Sequence, residues 1–225
     1  MTTIAERLAG VRERLAAAAT RAGRDPADVR LIAVSKNVDA DAIRAAHDAG
    51  QTDFGENYVQ PALAKIEALG TARIRWHMIG QLQSNKAARV ARAFDVVHSL
   101  ASTSAARAMS RALAEQGRSC EVLVQVHLGG GAARGGVAPE RAAAFVAEVA
   151  GLPGLIVDGV MGVAPRGEEA RPAFARLRRV LEELRDLGLE GVPLRELSAG
   201  MSGDYEAAVL EGATLVRIGR AIFAG

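Results

Sequence analysis

The chain has 225 residues, a net charge of +2, 49% apolar residues and 24% charged residues. That composition is typical of a globular protein, and the length suits one α/β barrel or two small domains. The arginines alternate with acids, and no basic stripe carries exposed aromatics, so we expect no nucleic-acid partner. The single cysteine, Cys120, is predicted to be a structural thiol and fits a protein of the reducing cytoplasm. Because no run reaches ~18 apolar residues, we expect no membrane span.

The chain opens with a predicted helix, because Thr3 and Glu6 have the spacing of a capping box and apolar residues follow at helical spacing. Eight strand-like apolar runs come next, at 29–35, 52–55, 73–80, 95–100, 120–128, 155–163, 194–200 and 214–219. The amphipathic stretches that separate them predict helices at 39–49, 57–69, 84–93, 103–117, 139–150, 168–187 and 203–212.

This alternation predicts an α/β fold, a single (β/α)8 barrel domain of residues 1–225 with an extra N-terminal helix. The alternative is an open, doubly wound sheet, which usually carries a glycine fingerprint after its first strand. Here the first strand is followed by SKNVDAD (35–41), which contains no glycine. The pattern therefore favours the barrel.

A lysine ends the first strand, in the sequence LIAVSKN (31–37). Only Lys36, Lys65 and Lys86 are lysines among 28 cationic residues, so a lysine at the mouth of a barrel is a candidate reactive amine. A structural ion pair is the alternative role for Lys36. Lys65 and Lys86 are interpreted as surface residues of helices.

The last two loops have the composition of a phosphate site. In barrels, the loops after strands seven and eight often bind phosphate through backbone N–H groups and a helix N-terminus. AGMSGDYEAA (199–208) supplies Ser202 and a helix start, and RIGRAIF (217–223) supplies Gly219. Ser202 could instead simply cap the helix.

Arg217 is expected to face the barrel mouth, with an interior ion pair as the alternative. The four histidines show no metal-ligand pattern.

Five motifs occur in order: IAVSK (32–36), DFGENYVQ (53–60), WHMIGQLQSNK (76–86), LSAGMSGDYEAAV (197–209) and VRIGRAIF (216–223). Together they resemble the pyridoxal phosphate homeostasis protein family, whose barrel is that of the alanine racemase N-terminal domain. The resemblance implies that pyridoxal 5′-phosphate (PLP) is the cofactor and that Lys36 carries it as a Schiff base. The cofactor-binding residues that it implies are Lys36, Asn57, His77, Met201, Ser202, Arg217, Gly219 and Arg220.

The resemblance also assigns roles to these residues. Ser202 and the backbone around Gly219 and Arg220 would hold the phosphate, with Met201 in the same loop. Arg217 would lie near the pyridine nitrogen. Asn57 and the end of strand three around His77 would line the flanks of the cofactor.

The family implies a carrier and regulator of vitamin B6 pools and amino acid balance, without established turnover. We expect a cytoplasmic monomer whose partners are PLP and PLP-dependent apoenzymes. The alternative is a PLP-dependent amino acid racemase, which needs a second base, supplied in similar racemases by a tyrosine of another domain. The barrel motifs use the whole chain, so we expect no such domain, and Tyr58 and Tyr205 are expected to pack at helix starts. An arginine at the pyridine nitrogen would also make the ring a poorer electron sink.

The sequence departs from the family pattern at three places. Asn37 and Arg220 stand where threonine is common, so hydroxyl contacts to the phosphate from position 220 are not expected. The glycine-rich loop 127–139 carries Arg134 in place of the family's acidic residues and lysine. No contacts are therefore assigned to that loop.

Overall fold

The structure is a computed structural model that describes residues 2–70, 72–129, 135–167 and 169–224. Its strands are β1 Arg30–Val34, β2 Asp53–Glu56, β3 Arg75–Met78, β4 Val96–Leu100, β5 Cys120–Gln125, β6 Leu155–Met161, β7 Glu196–Ser198 and β8 Leu215–Ile218. Each strand pairs in parallel with its sequence neighbour, and β1 pairs with β8, so the sheet closes into a barrel in the order β1 to β8. The predicted (β/α)8 barrel is confirmed, and each strand is shorter than predicted or shifted by about one residue.

The helices are α1 Ile4–Arg21, α2 Ala40–Asp48, α3 Val59–Leu69, α4 Ala87–Ala93, α5 Thr103–Gln116, α6 Ala142–Ala150, α7 Ala170–Asp186, α8 Tyr205–Leu210 and α9 Arg220–Phe223. The extra helix α1 starts with the predicted capping box, in which Thr3 and Glu6 each accept the other's backbone N–H. Its Leu8, Val11 and Leu15 are buried. Arg7 Nε donates to the carbonyl of Ile222 at 2.7 Å, which ties α1 to the C-terminal helix α9.

Two apolar regions stabilise the barrel. The larger one lies between the strands and the surrounding helices, and it includes the fully buried Phe54, Phe94 and Phe174. A small second cluster inside the barrel consists of Ile32, Leu123, Met161 and Leu215. Several other buried positions on the strands are polar, which is unusual because barrel interiors are dominated by branched apolar side chains.

Cys120 begins β5 and is buried, so the sequence-based interpretation of a structural thiol is confirmed. Burial raises the pKa of this thiol to about 12, so it stays protonated at neutral pH. No helix in the described part of the chain is both long and apolar enough to cross a bilayer. The described residues also contain no group of three or more His, Cys, Asp or Glu side chains suited to a metal ion.

Candidate functional site

A cavity of about 890 Å³ opens at the carboxyl ends of the strands. It is bordered by the segments that follow β1, β2, β3, β6, β7 and β8. Seven of the eight residues predicted from the sequence line it: Lys36, Asn57, Met201, Ser202, Arg217, Gly219 and Arg220. The parallel barrel brings them together because it collects all strand ends on one face.

The end of β1 is fixed by an ion pair that does not involve Lys36. Lys65 Nζ lies 2.7 Å from Glu56 Oε1 and 2.7 Å from the carbonyl oxygen of Ser35. The hydroxyl of Ser35 donates to the same oxygen of Glu56 at 2.7 Å. Lys36 itself is exposed and lines the cavity. The structural role considered for Lys36 therefore belongs to Lys65, and the interpretation of Lys65 as a surface residue is wrong.

The spacing of α3 explains the position of Lys65. It lies three residues after the buried Ala62 and four before the buried Leu69, on the inward face of the helix. The flexible stem reaches past the helix and leaves only 12% of the side chain exposed. That periodicity was the available signal, and the charge of the residue obscured it.

Asn37, next to Lys36, adopts a left-handed backbone conformation with φ 59°. Asparagine visits this region several-fold more often than most residues, and a β-branched threonine does so rarely. The departure from the family pattern at this position therefore has a backbone explanation.

The loop after β7 forms a closed turn with Ser202 near its tip. Asp204 Oδ1 accepts the N–H of Met201 at 2.6 Å, and the N–H of Asp204 donates back to the carbonyl of Met201 at 3.1 Å. Helix α8 begins at Tyr205 and is preceded by Asp204, so Ser202 does not cap it. The capping alternative for Ser202 is thus wrong, and its side chain lies on the cavity wall.

The loop after β8 approaches β1 closely at Gly219. A Cβ added to Gly219 would lie 2.9 Å from the carbonyl oxygen of Val34, so a side chain would push the two strand ends apart. Among the described residues, no backbone acceptor faces the N–H groups of Ser202, Gly203, Arg220 or Ala221. Two adjacent loops therefore present free donors, the arrangement that suits a phosphate.

Arg217 is the buried cation of the cavity. One of its amino groups donates to Ser198 Oγ, and the other donates to the carbonyl of Gly162 at 3.0 Å. Burial lowers the pKa of Arg217 to about 10, opposed by the charge of Asp204, so the guanidinium remains charged at neutral pH. The interior ion pair considered for it is not formed with any described residue, since both of these acceptors are uncharged.

His77 is not among the described residues that line the cavity, contrary to its predicted place on the cofactor's flank. It points into the barrel, is 1% exposed, and bonds to Asp53 and His98 at 2.9 Å each. Alternation along β3 explains this, because Ile79, two residues later on the same face, reaches the cavity instead. The sequence reasoning did not identify His98 or Ser198 as partners, although each is a polar residue within a buried strand.

The two tyrosines are placed differently. Tyr205 packs at the start of α8 as expected and is 5% exposed, whereas Tyr58, expected to pack, is 60% exposed. Neither is among the cavity-lining residues. Arg134 and two of the five glycines of loop 127–139 lie outside the described residues.

The chemistry of the cavity can be tested against PLP. Its described lining includes four cationic side chains and one carboxylate, Asp204, so it favours an anion. Asn57 Oδ1 is buried without a hydrogen-bond partner among the described residues, and an orphaned acceptor of this kind fits a hydroxyl or protonated donor of a ligand. The cavity combines an exposed primary amine, an anion-binding pair of loops and a buried arginine. These are the groups that an aromatic aldehyde phosphate requires. The residues therefore fit PLP.

Comparison with known proteins places the chain in a family. The family model of the alanine racemase N-terminal domain matches residues 7–225. The pyridoxal phosphate homeostasis protein of Pseudomonas aeruginosa is 46% identical over 99% of this chain and 96% of its own length. The chain belongs to the pyridoxal phosphate homeostasis protein family. The corresponding protein of Escherichia coli K12 is 40% identical, over 99% of this chain and 97% of its own length.

A solved structure of a similar protein has the same fold. PipY of Synechococcus elongatus PCC7942, solved with PLP bound, superimposes with a TM-score of 0.87 at 39% identity, over 99% of this chain and 100% of its own. The resemblance that the five motifs indicated is therefore confirmed at the level of family and fold.

Proposed function

We propose that this protein binds PLP in the cavity at the carboxyl ends of the barrel strands and carries it covalently on Lys36. One observation carries the proposal. A single cavity is lined by the exposed amine of Lys36 and by the loops around Ser202 and Gly219, whose free backbone donors suit a phosphate. The PLP-bound structure of PipY, at 39% identity, supports the same ligand. Lys36 would hold PLP through its amine, which would condense with the aldehyde of the cofactor, with loss of one water, as a Schiff base.

The phosphate of the ligand would be held by the two loops with free backbone donors. The side chain of Ser202 and the N–H groups of Ser202 and Gly203 would bind it from the β7 loop, and those of Arg220 and Ala221 from the β8 loop. Arg220 adds positive charge in place of a hydroxyl, and Lys36 and Arg217 add more. Met201 and Asn57 would contact the ring and its substituents.

Arg217 would face the pyridine nitrogen as a charged hydrogen-bond donor. Its buried guanidinium disfavours a second positive charge beside it, so the ring nitrogen would remain unprotonated. An unprotonated ring withdraws electrons less strongly, which suits storage of the cofactor better than reactions at an amino acid α-carbon. Neither tyrosine lines the described part of the cavity, which also disfavours a second catalytic base. We therefore propose a carrier that takes part in PLP homeostasis and amino acid balance, without catalytic turnover.

We place this activity in the cytoplasm, in a single barrel domain of residues 1–225 that acts as a monomer. PLP-dependent apoenzymes are the proposed recipients of the cofactor. The exposed position of Lys36 supports such transfer, because an incoming amine can reach the cofactor from solvent.

Borohydride trapping followed by peptide mass spectrometry tests the proposal. The purified protein is mixed with PLP, reduced and digested, and we expect the reduced adduct on Lys36. Lys36→Ala and Lys36→Arg should abolish it, because neither side chain is a usable nucleophile at neutral pH. Lys86→Arg, at an exposed lysine that immediately precedes α4, is the matched control and should keep the adduct.

Turnover is tested separately by solvent-deuterium exchange at the α-carbon of alanine and other amino acids. We expect no exchange near enzymatic rates, about 1 per second or faster. Such exchange, if lost in Tyr58→Phe, would make the protein an enzyme.

A borohydride-stable adduct that survives Lys36→Ala would remove Lys36 from the proposed role.

A further inference from the structure

A continuous line of buried polar side chains crosses the barrel interior from the cavity to the opposite end. Asp53 Oδ1 lies 2.9 Å from His77 Nε2, and His77 Nδ1 lies 2.9 Å from His98 Nε2. His98 Nδ1 lies 2.8 Å from Ser198 Oγ, which accepts a hydrogen bond from Arg217. Asp53 begins β2 at the amino end of the barrel, and Arg217 lines the cavity. The five residues come from five different strands, so only the closed barrel assembles them.

The chemistry of the groups fixes the direction of every hydrogen bond in this line. Burial raises the pKa of Asp53, but the hydrogen bonds from His77 and Thr52 and the positive charge of Arg30 oppose it and the pKa is lowered overall, so the carboxylate only accepts. Burial lowers the pKa of both His77 and His98, which are therefore neutral and carry one N–H each. His77 must then donate from Nε2 to Asp53 and accept at Nδ1.

The same reasoning continues to the cavity. His98 donates from Nε2 to His77 and accepts at Nδ1, so the hydroxyl of Ser198 donates to His98. The oxygen of Ser198 is left to accept from Arg217, as it does. All four hydrogen bonds run from Arg217 towards Asp53, and hydrogen bonds aligned in this way reinforce one another in a low dielectric.

This alignment has a consequence for Arg217. Nη1 is held by Ser198 and Nη2 by the carbonyl of Gly162, so the plane of the guanidinium is fixed. The charge of Asp204 acts on Arg217, but no carboxylate of the described residues forms an ion pair with the guanidinium. An adjacent carboxylate would compete for the N–H groups that face the cavity, whereas the neutral Ser198 and Gly162 leave a donor for the ligand.

We propose that Asp53, His77, His98 and Ser198 are a positioning network that holds Arg217 as a permanent hydrogen-bond donor towards the cavity, and so select a ligand ring with an unprotonated acceptor nitrogen. The inference rests on the proposed function, since it takes PLP as the ligand. The inference adds that specificity for the protonation state of the ring nitrogen is set by residues that do not contact the ligand.

The ligand-free protein provides the first test. Nitrogen-15 NMR of labelled histidine distinguishes the two neutral tautomers and the imidazolium. We expect both His77 and His98 as the neutral Nε2–H tautomer at pH 7. Ser198→Ala should shift the Nδ1 signal of His98, because that atom loses its donor. The matched control is Ser110→Ala on α5, which removes a buried hydroxyl that donates to the carbonyl of Pro153 and should leave both rings unchanged. A protonated ring, or the Nδ1–H tautomer in either residue, overturns the proposal.

Ligand selectivity provides the second test. PLP is compared with its N-methylated pyridinium derivative, which cannot accept a hydrogen bond at that atom. The wild-type protein should prefer PLP by about tenfold or more, the value of one hydrogen bond to a charged group. Ser198→Ala should lower this ratio by about threefold or more, whereas Ser110→Ala should preserve it.

The outcomes separate the two proposals. Equal binding of both ligands by the wild-type protein, or an unchanged ratio in folded Ser198→Ala, overturns the positioning network. Failure of the wild-type protein to bind PLP at all overturns the proposed function, while the tautomers of the ligand-free protein still test the hydrogen-bond directions. That measurement needs no variant, so poor folding of Ser198→Ala leaves it intact.

Discussion

At the scale of single residues, Lys65 shows how a side chain outside the cavity can organise its wall. Glu56 is 1% exposed, one of its oxygens is bonded to Lys65 and Ser35, and the other has no partner in the part of the chain that the structure describes. Lys65→Ala would leave this carboxylate buried without a cation. We expect the free energy of unfolding to fall by about 3 kcal/mol or more, the usual cost of breaking a buried pair. Urea denaturation measures it.

Lys86→Ala, at an exposed lysine, is the control for that experiment and should change the stability by less than about 0.5 kcal/mol. Adding Glu56→Gln to Lys65→Ala should recover part of the loss, because the amide is uncharged. If Lys65→Ala were as harmless as Lys86→Ala, the ion pair would be irrelevant to the fold.

Ser202 is the second residue whose role can be isolated. Replacing it by alanine removes one hydroxyl from the β7 loop, while Asp204 still closes the turn through the N–H of Met201. We expect PLP binding to weaken by about 1–2 kcal/mol, the value of one charge-assisted hydrogen bond. Calorimetry with PLP and with dephosphorylated pyridoxal measures it.

The affinity for pyridoxal should change little in Ser202→Ala, because pyridoxal lacks the phosphate. Ser119→Ala is the control, because Ser119 borders a separate cleft at the other end of the barrel. Equal weakening of both ligands by Ser202→Ala would mean that Ser202 shapes the loop rather than contacts the phosphate.

At the scale of elements, the loop after β8 depends on the absence of a side chain at Gly219. A Cβ there would lie 2.9 Å from the Val34 carbonyl oxygen and 3.2 Å from the Val34 Cβ. Gly219→Ala must therefore displace the end of β8 from β1. We expect a loss of stability of about 1–3 kcal/mol, typical of overpacking, together with weaker PLP binding. Urea unfolding and ligand titration give the two values.

Gly10→Ala is the matched glycine control. Gly10 lies within α1, and a Cβ there would meet nothing within 4 Å. Alanine should stabilise the helix by about 0.5–1 kcal/mol, the opposite sign to Gly219→Ala. A neutral effect of Gly219→Ala on both stability and binding would show that the strand ends tolerate separation.

The elements also show what the sequence can and cannot predict. All eight strands and the capped helix α1 follow from apolar runs and caps, because those signals are local. Seven of the predicted residues share one cavity because the barrel gathers the strand ends, wherever the loops lie in the sequence. The predicted positions of His77 and Lys65 are wrong. Whether a side chain points inward or outward depends on strand alternation and helix register, and a single residue does not reveal either. The partners of His77 come from β2 and β4, so only the folded sheet identifies them.

At the scale of the whole molecule, a barrel with two neutral histidines in its interior should lose stability in acid. Burial lowers the pKa of His77, and the nearby Arg75 and Arg30 lower it further, while Asp53 opposes them. Burial lowers the pKa of His98 well below its ordinary value, helped by the positive charge of Arg217. Neither ring therefore gains its proton in the folded state at the pH where an unfolded histidine does.

The sign of the effect follows from proton uptake. An unfolded histidine takes up a proton as the pH falls below about 6.5, so below that pH the unfolded chain binds more protons than the folded one. The stabilisation is present above that pH and is lost as the pH falls. For two such rings, the free energy of unfolding should fall by up to about 3 kcal/mol between pH 7.5 and pH 5.5. The low pKa of Asp53 adds to this loss only nearer pH 4, where an unfolded aspartate is protonated.

Urea unfolding at pH 7.5, 6.5 and 5.5 measures this dependence in the ligand-free protein. His98→Gln removes one of the two rings and should reduce the pH dependence by about half, even if the variant is less stable at every pH. His47→Gln, which removes an imidazole from α2 outside the barrel, is the control. A flat profile for the wild-type protein between pH 7.5 and 5.5 would mean that the interior histidines take up protons in the fold at the same pH as in the unfolded chain, so that they are mostly charged at pH 5.5. The hydrogen bonds from Arg217 to Asp53 could then not all point the same way.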